Sequence, residues 1–435
     1  MTLRTTLRIP LLLLALMTIG CGGPSEVNNF GGSGFAGSGT DFSSNTRRAA
    51  DVMTSSFWDI QALKAPPKSE VSDETVEKTP AGEVVVREVK YEVPASGGGK
   101  IRVFAHYAYP AAKKGTKLPA IVWVHGGGSI ADRGAVIHWA SLGYAAIGMD
   151  LPGKGGEARE KSRSEGPDMS DALIFKVMPS PRESYLYLCV NSVCRAVSFM
   201  RDQKEVDPLR IGVLGYSWGG VITLLANGID DRIAAACTVY GAGFIHEESF
   251  WSGGEFARLS ERDKRTWRER FDPSSYLKSQ HGKTLFVGAT QDIYYPFRSF
   301  IRTYQGAECP KSLYVALNKN HELDDAGAET IRRWFDWTLR SGPQLPSVRV
   351  KQTKDSVEVS AKGAPVVNVT LATAEPADYT KAEWKLSNAK SEGGVWKASP
   401  PKSGVASIII AKDDSGVTVA EPVNVPVPSK AKANK

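Results

Sequence analysis

The chain has 435 residues, of which 42% are hydrophobic, so it exceeds one domain of ordinary size and can bury a large core. Its net charge of +7 comes from 54 basic and 47 acidic residues that are spread along the chain. Because no basic stripe with interleaved aromatic residues is present, this charge indicates a soluble surface and argues against nucleic-acid binding.

The N-terminal segment has the pattern of a secretory signal. Arg4 and Arg8 precede an apolar run over residues 11–19, which is too short to span a bilayer. The following sequence, Thr18-Ile19-Gly20-Cys21, resembles a bacterial lipobox, although Thr18 replaces the usual leucine. We therefore expect residues 1–21 to be a lipoprotein signal peptide, with lipidation at Cys21 and anchoring to a membrane of the cell envelope. Ordinary signal cleavage is the alternative, and either reading predicts export.

A segment rich in Gly, Ser and Asn follows the signal. Such a composition buries too little apolar surface to fold, so residues 22–50 are predicted to be a flexible tether.

The remaining cysteines have no metal-ligand spacing and are interpreted as small core residues. They are Cys189, Cys194, Cys237 and Cys309.

Residues 51–343 are predicted to form an α/β domain with a mostly parallel, doubly wound sheet. Alternating apolar residues in EVVVREVKYEV and KIRVFAHYAYP indicate two antiparallel edge strands. Continuous apolar runs then alternate with helical stretches, which is typical of buried parallel strands with helices on both faces. These runs are AIVWVHG, YAAIGMD, RIGVLGY, IAAACTVYG, TLFVGAT and LYVAL. Two polar excursions, residues 153–181 and 244–278, are expected to wall the active-site edge.

The C-terminal part changes pattern after Gly342-Pro343 and Pro346. Valine alternates with polar residues in several short runs, which predicts a small all-β sandwich over residues 344–430. Its sequence leaves open whether this domain binds polysaccharide or supports the α/β domain.

A candidate nucleophile lies in the sequence Gly215-Tyr216-Ser217-Trp218-Gly219-Gly220, between strand RIGVLGY and helix VITLLANG. A strained strand-to-helix turn exposes a serine hydroxyl, and it requires small residues on both sides of that serine. The N–H groups that open the helix can stabilise negative charge at the same point. Ser217 is therefore the predicted nucleophile.

The glycine run His125-Gly126-Gly127-Gly128 ends strand AIVWVHG. In hydrolases with such an elbow, the loop after this strand supplies a second oxyanion donor. We expect the donors to be the backbone N–H of Trp218 and that of Gly126 or Gly127.

The base and the acid follow from chain order. A serine needs a neighbouring base, and His321, after strand LYVAL, is the only histidine that follows strand TLFVGAT. Asp292 follows strand TLFVGAT directly and is the predicted acid. Asp272, in RFDPSSYL, is the runner-up and is better explained as a cap or loop ligand.

Residues 100–339 resemble α/β-hydrolases of the dienelactone-hydrolase, acetyl-xylan-esterase and prolyl-oligopeptidase superfamily. The segments FDPSSYL, GATQDIYYP and NKNHEL, with a following β domain, resemble exported acetyl-xylan-esterase-like proteins. Dienelactone hydrolases have cysteine where this chain has Ser217, and no propeller repeat precedes the domain as in the peptidases. The resemblance implies an esterase with a Ser-His-Asp triad and an acyl-enzyme intermediate.

The expected substrate is a small-molecule or carbohydrate ester, with no metal or organic cofactor, in a monomer or small oligomer. The candidate pocket residues are His125, Tyr216, Trp251 and Tyr294. A serine exopeptidase or oligopeptidase, or a catalytically silent surface protein that binds glycan, are the alternatives.

Overall fold

The structure is a computed structural model that describes residues 57–111, 115, 117–153, 162–375 and 378–427. The predicted signal peptide, Cys21 and the tether lie outside the described residues, as do residues 154–161 of the first excursion.

A nine-stranded sheet forms the centre of the larger part, in the order β1-β2-β3-β5-β4-β6-β7-β8-β9. Its strands are β1 (Ser69–Thr79), β2 (Gly82–Pro94), β3 (Lys100–Pro110), β4 (Leu118–Val124), β5 (Ala145–Met149), β6 (Val206–Tyr216), β7 (Ala235–Val239), β8 (Lys283–Ala289) and β9 (Lys311–Ala316). The first three strands pair antiparallel with their neighbours, and the strands from β4 to β9 pair in parallel. The predicted α/β-hydrolase plan is therefore confirmed.

The α-helices of the part that the structure describes are α1 (Ile60–Lys64), α2 (Arg133–Ser141), α3 (Asp171–Ile174), α4 (Tyr185–Asp202), α5 (Trp218–Ile229), α6 (Ile245–Glu248), α7 (Glu255–Arg258), α8 (Glu261–Phe271), α9 (Phe297–Gly306) and α10 (Asp325–Arg340). Within the described ranges, 3₁₀ turns cover Ser96–Gly98, Pro181–Glu183 and Pro273–Ser279. Two glycines of β6 show that helices cover both faces of the sheet. A Cβ at Gly212 would meet Phe335 of α10, and one at Gly215 would meet Thr223 of α5. Residues three apart in a strand point to opposite faces, so α10 and α5 lie on opposite sides.

Several elements of this part were not predicted, among them strand β1 and helix α9. Strand β1 has almost only exposed side chains, so its sequence carries no hydrophobic face. Helix α9 does carry a helical signal, because Phe297, Phe300, Ile301 and Tyr304 are buried at helical spacing.

Two four-stranded antiparallel sheets form the C-terminal part, as the valine pattern predicted. Their orders are β10-β11-β15-β14 and β13-β12-β16-β17. The strands are β10 (Ser347–Gln352), β11 (Val357–Lys362), β12 (Val366–Ala374), β13 (Lys385–Asn388), β14 (Lys390–Glu392), β15 (Val395–Ala398), β16 (Ala406–Asp413) and β17 (Thr418–Asn424). Their buried faces, with Val359, Leu371 and Ile409 almost fully enclosed, are consistent with a β-sandwich.

Candidate active site

Ser217 occupies a strained turn between β6 and α5. Its φ of 55° and ψ of −121° lie outside the regions that non-glycine residues ordinarily adopt. The Ser217 N–H donates to the Val239 carbonyl at 2.7 Å, which fixes the turn against the end of β7. Such strain is maintained only when surrounding contacts over-determine it, and it is the geometry that exposes a nucleophile.

The glycines around Ser217 are required by close packing. A Cβ at Gly215 would lie 2.1 Å from the Gly219 carbonyl oxygen, and one at Gly219 would lie 2.4 Å from that of Val124. At Gly220 it would lie 2.7 Å from Thr238 Oγ1. The turn therefore packs against both neighbouring strands without space for any side chain.

The loop after β4 lies directly beside the turn. A Cβ at Gly126 would be 3.3 Å from Ser217 Cβ, and one at Gly127 would be 2.9 Å from Trp218 Cδ1. The Gly126 carbonyl lies 2.7 Å from His125 Nδ1. In a trans peptide the next N–H points the opposite way, so the Gly127 N–H faces away from the His125 ring. Among the described residues, this N–H has no acceptor.

The ring of His125 does not line a pocket, in contrast to our prediction. It is 3% exposed, its Nε2 accepts from the Leu151 N–H at 3.0 Å, and its Nδ1 contacts the Gly126 carbonyl. Burial lowers the pKa of His125, so the ring is neutral and donates from Nδ1. Through these two contacts the His125 ring holds the backbone of the loop after β4 in place.

Asp292 and His321 meet at the ends of β8 and β9. Asp292 is 1% exposed, and its Oδ2 lies 2.8 Å from His321 Nδ1. Its Oδ1 accepts from the backbone N–H groups of Tyr294 and Tyr295 at 2.8 and 3.0 Å. Because the carboxylate is held at both oxygens, it fixes the imidazole with Nε2 directed away from Asp292.

Two tyrosines enclose the His321 ring, and the sequence did not single them out. The Tyr240 ring centroid lies 4.7 Å from that of His321, and the Tyr295 ring is stacked on it at 6.1 Å. The Tyr295 hydroxyl faces Ser217, yet it forms no well-aligned hydrogen bond with any described residue. Burial raises the pKa of Tyr295 well above its usual value, so the hydroxyl stays protonated.

The described residues include no hydrogen bond between Ser217 Oγ and His321 Nε2. Catalytic hydrogen bonds of this kind are often long before substrate binds. Tyr295 connects the two residues, since its ring packs on His321 and its hydroxyl faces Ser217.

Aromatic side chains crowd the rest of the site. The Trp218 and Trp251 rings lie 4.6 Å apart, and Tyr294 meets the His321 ring edge-on at 5.1 Å. Trp251 also packs on Tyr294, at 5.9 Å. The Tyr216 ring instead packs on that of Trp123, at 6.2 Å.

Asp272, the alternative acid, is fully buried at a different place. Its carboxylate accepts from the N–H groups of Phe244, Ile245 and Ser274 at 2.8 to 2.9 Å, and it lies 3.3 Å from His246 Nδ1. It caps the 3₁₀ turn after α8, as the sequence indicated.

Among the described residues, no group of three or more His, Cys, Asp or Glu side chains is arranged to hold a metal ion.

The sheet order, the strained serine turn and the acid and histidine on successive strand ends define the class of this protein: it has the α/β-hydrolase fold. Comparison with known proteins agrees with that class. Residues 44–245, a little under half of the chain, match the family model described as acetyl xylan esterase (AXE1). This range includes Ser217 and the Gly126-Gly127 loop and ends before Asp292 and His321.

Solved structures with related folds include two acetyl xylan esterases. The enzyme from Paenibacillus sp. R4 is 21% identical with a TM-score of 0.55, and the match covers 66% of this chain and 94% of that chain. Acetyl xylan esterase 1 from Thermoanaerobacterium sp. JW/SL YS485 is 17% identical with a TM-score of 0.53, over 65% and 92% of the two chains.

A curated relative, "Putative hydrolase YtaP" of Bacillus subtilis (strain 168), is 29% identical over 144 residues. This match covers 30% of the present chain and 45% of the relative, so less than half of that protein is matched. The chain is thus similar to the acetyl xylan esterase family, and these similarities support a carboxylic ester hydrolase.

Proposed function

We propose that the protein hydrolyses carboxylic esters through an acyl-enzyme on Ser217, with His321 as base and Asp292 as the supporting acid. The observation that carries the proposal is the strained backbone of Ser217 beside the Gly126-Gly127 loop, at the sheet edge that also holds the Asp292–His321 hydrogen bond. A serine backbone strained in this way, directly before a helix, is typical of a nucleophile.

The reaction has two halves. His321 Nε2 takes the proton of Ser217 Oγ, which attacks the ester carbonyl carbon and forms a tetrahedral adduct. His321 then gives this proton to the alkoxy oxygen, and the carbon–oxygen bond breaks to release the alcohol. Water next loses a proton to His321 while its oxygen bonds to the acyl carbon. Release of the carboxylic acid returns the proton to Ser217.

Two backbone donors stabilise the negative oxygen of the adduct. The Trp218 N–H opens α5 and has no acceptor within the helix. The second donor is the Gly127 N–H, because the His125 ring holds the peptide with its carbonyl on the opposite side. We propose the Gly127 N–H over that of Gly126 on this ground.

The proposed substrate is an ester with a small acyl group, such as an acetylated carbohydrate. Trp218 and Trp251 are 5% and 7% exposed, and Met169 Cε would lie 3.0 Å from a Cβ at Gly127, so little space remains beside Ser217. On the open side, Phe250 is 60% exposed and packs on Tyr294 at 5.3 Å. An exposed aromatic ring suits contact with a sugar face.

An ester panel tests this proposal. Turnover of p-nitrophenyl acetate should exceed that of the octanoate at least tenfold, and acetylated xylo-oligosaccharides should release acetate. Replacing Trp251 with alanine should reduce the difference in turnover between the acetate and the octanoate. If aminoacyl anilides are the better substrates, the protein is a peptidase and the ester assignment is wrong.

We further propose that the protein is exported and anchored through a lipid on Cys21. The support is the sequence of residues 1–21. No helix among the described residues is long and apolar enough to cross a membrane. Metabolic labelling with a radioactive fatty acid should mark the native chain and not Cys21→Ala.

A further inference from the structure

The segment before β13, residues 382–384, crosses from the C-terminal sheets to the loops of the candidate active site. The Asn318 side chain accepts from the Trp384 N–H at 2.8 Å and donates to the Trp384 carbonyl at 3.2 Å. Gln291 Nε2 donates to the Ala382 carbonyl at 3.1 Å. The two side chains therefore bind the backbone of the segment much as a neighbouring strand would.

Both side chains come from the loops that carry the proposed acid and base. Gln291 immediately precedes Asp292, and Asn318 lies three positions before His321. These loops are also tied to each other. The Asn318 N–H donates to Thr290 Oγ1 at 2.8 Å, and the Gln291 N–H donates to the Lys319 carbonyl at 2.9 Å. A contact that fixes the position of Asn318 therefore constrains the positions of both loops.

Aromatic packing holds the segment in place. Trp384 is 4% exposed, and its ring meets that of Phe297 edge-on at 5.1 Å. Phe297 is the first residue of α9, which begins directly after the Asp292 loop. Tyr379 adds a second ring contact to Phe297 at 5.7 Å. The contact is therefore a buried attachment combined with directional hydrogen bonds at the loops.

We propose that the C-terminal β domain is a positioning element, in which Trp384 and Asn318 set the relative placement of Asp292 and His321. The proposal rests on the proposed function of that pair. A shift of about 1 Å between catalytic groups can lower the rate a hundredfold. A contact that holds these two loops in place can therefore have a large effect on the rate without touching substrate.

The test uses the full-length protein and Asn318→Gly. Asn318 has a φ of 53°, which glycine adopts without strain, so the replacement removes both hydrogen bonds and leaves the backbone conformation accessible. We expect kcat for p-nitrophenyl acetate to fall by about tenfold to a hundredfold with KM little changed. Asn318→Asp keeps the acceptor for the Trp384 N–H but turns an oxygen toward the Trp384 carbonyl, so it should restore only part of kcat.

The matched control is Tyr304→Phe. It removes the hydrogen bond from the Tyr304 hydroxyl to Glu421 Oε2, at 2.8 Å, which joins α9 to β17 away from the loops. We expect it to lower thermal stability as much as Asn318→Gly while leaving kcat unchanged. If both variants change kcat equally, or neither does, the domain stabilises the fold without positioning the loops, and the proposal is overturned.

Hydrogen–deuterium exchange separates this proposal from the proposed function. In Asn318→Gly, the amides of residues 290–293 and 318–321 should exchange faster than in the control, whether or not any ester is hydrolysed. If the exchange of these amides is unchanged, the positioning role of the C-terminal domain is refuted. Failure of the wild-type protein to hydrolyse any ester would refute the proposed function. The exchange result would then decide by itself whether the C-terminal domain positions the two loops.

Discussion

The Asp292→Asn variant tests the proposed acid with little disturbance of the fold. The amide oxygen can replace Oδ1 and keep both hydrogen bonds from the Tyr294 and Tyr295 N–H groups. The amide nitrogen then faces His321 Nδ1, which lies 2.8 Å from the native Oδ2. Since both would be donors, the imidazole must move its proton to Nε2, and it can no longer accept the proton of Ser217.

The expected loss in kcat is about 10⁴-fold, or about 5.4 kcal/mol of transition-state stabilisation. The free energy of unfolding should fall by only about 1 kcal/mol, because a hydrogen bond to a charged carboxylate is replaced by one between neutral groups. The assay is initial-rate hydrolysis of p-nitrophenyl acetate, with the folded fraction measured by urea unfolding.

Asp272→Asn is the matched control. It also places an amide at a buried carboxylate, here against the Ile245 N–H, so it should destabilise the fold by about 1–3 kcal/mol. Turnover per folded molecule should not change. If Asp272→Asn reduces kcat more than Asp292→Asn does, the assignment of the acid is wrong.

Four further variants probe the site and the loops around it. In Gly219→Ala, the new Cβ would lie 2.4 Å from a carbonyl oxygen of β4, so we expect about 3 kcal/mol of destabilisation in urea and about a hundredfold loss in kcat/KM; native stability would contradict the packing argument. Tyr295→Phe and Tyr240→Phe each remove a buried hydroxyl that has no partner among the described residues, so both should keep or gain stability. Only Tyr295→Phe should lower kcat, by about tenfold, because that hydroxyl alone faces Ser217; equal activities would show that neither hydroxyl contributes. Burial lowers the pKa of His125, so the unfolded chain binds its proton more readily, and stability should fall as the pH drops below about 6.5, by up to about 1.4 kcal/mol per pH unit. Urea unfolding at pH 7.5 and 5.5 should show a smaller loss for His125→Gln than for the native protein, and an equal loss would contradict the linkage.

The parallel sheet and the serine turn could be predicted because local sequence determines both. Strands such as β6 are continuous apolar runs, and Gly215 and Gly219 flank a serine directly before a helix. Chain order then selected Asp292 and His321. The capping role of Asp272 was predictable for the same reason, since Pro273 and two serines follow it.

Contacts between distant segments could not be predicted. The pairing of Asn318 with Trp384 joins residues 66 positions apart, and although Asn318 opens the segment NKNHEL, nothing in that segment or around Trp384 indicates the contact. The role of His125 was misjudged for a similar reason, because its ring is enclosed by Leu151 from the next strand end. Strand β1 was missed because both of its faces are exposed, so it lacks the apolar periodicity on which such predictions depend.

The most direct test of the central claim is covalent labelling of the folded protein with a fluorophosphonate, followed by mass spectrometric mapping of the modified residue. We predict stoichiometric labelling of Ser217, with labelling slowed strongly in His321→Ala and lost in Ser217→Ala. A folded protein that remains unlabelled, or that is labelled equally well in Ser217→Ala, would contradict the account.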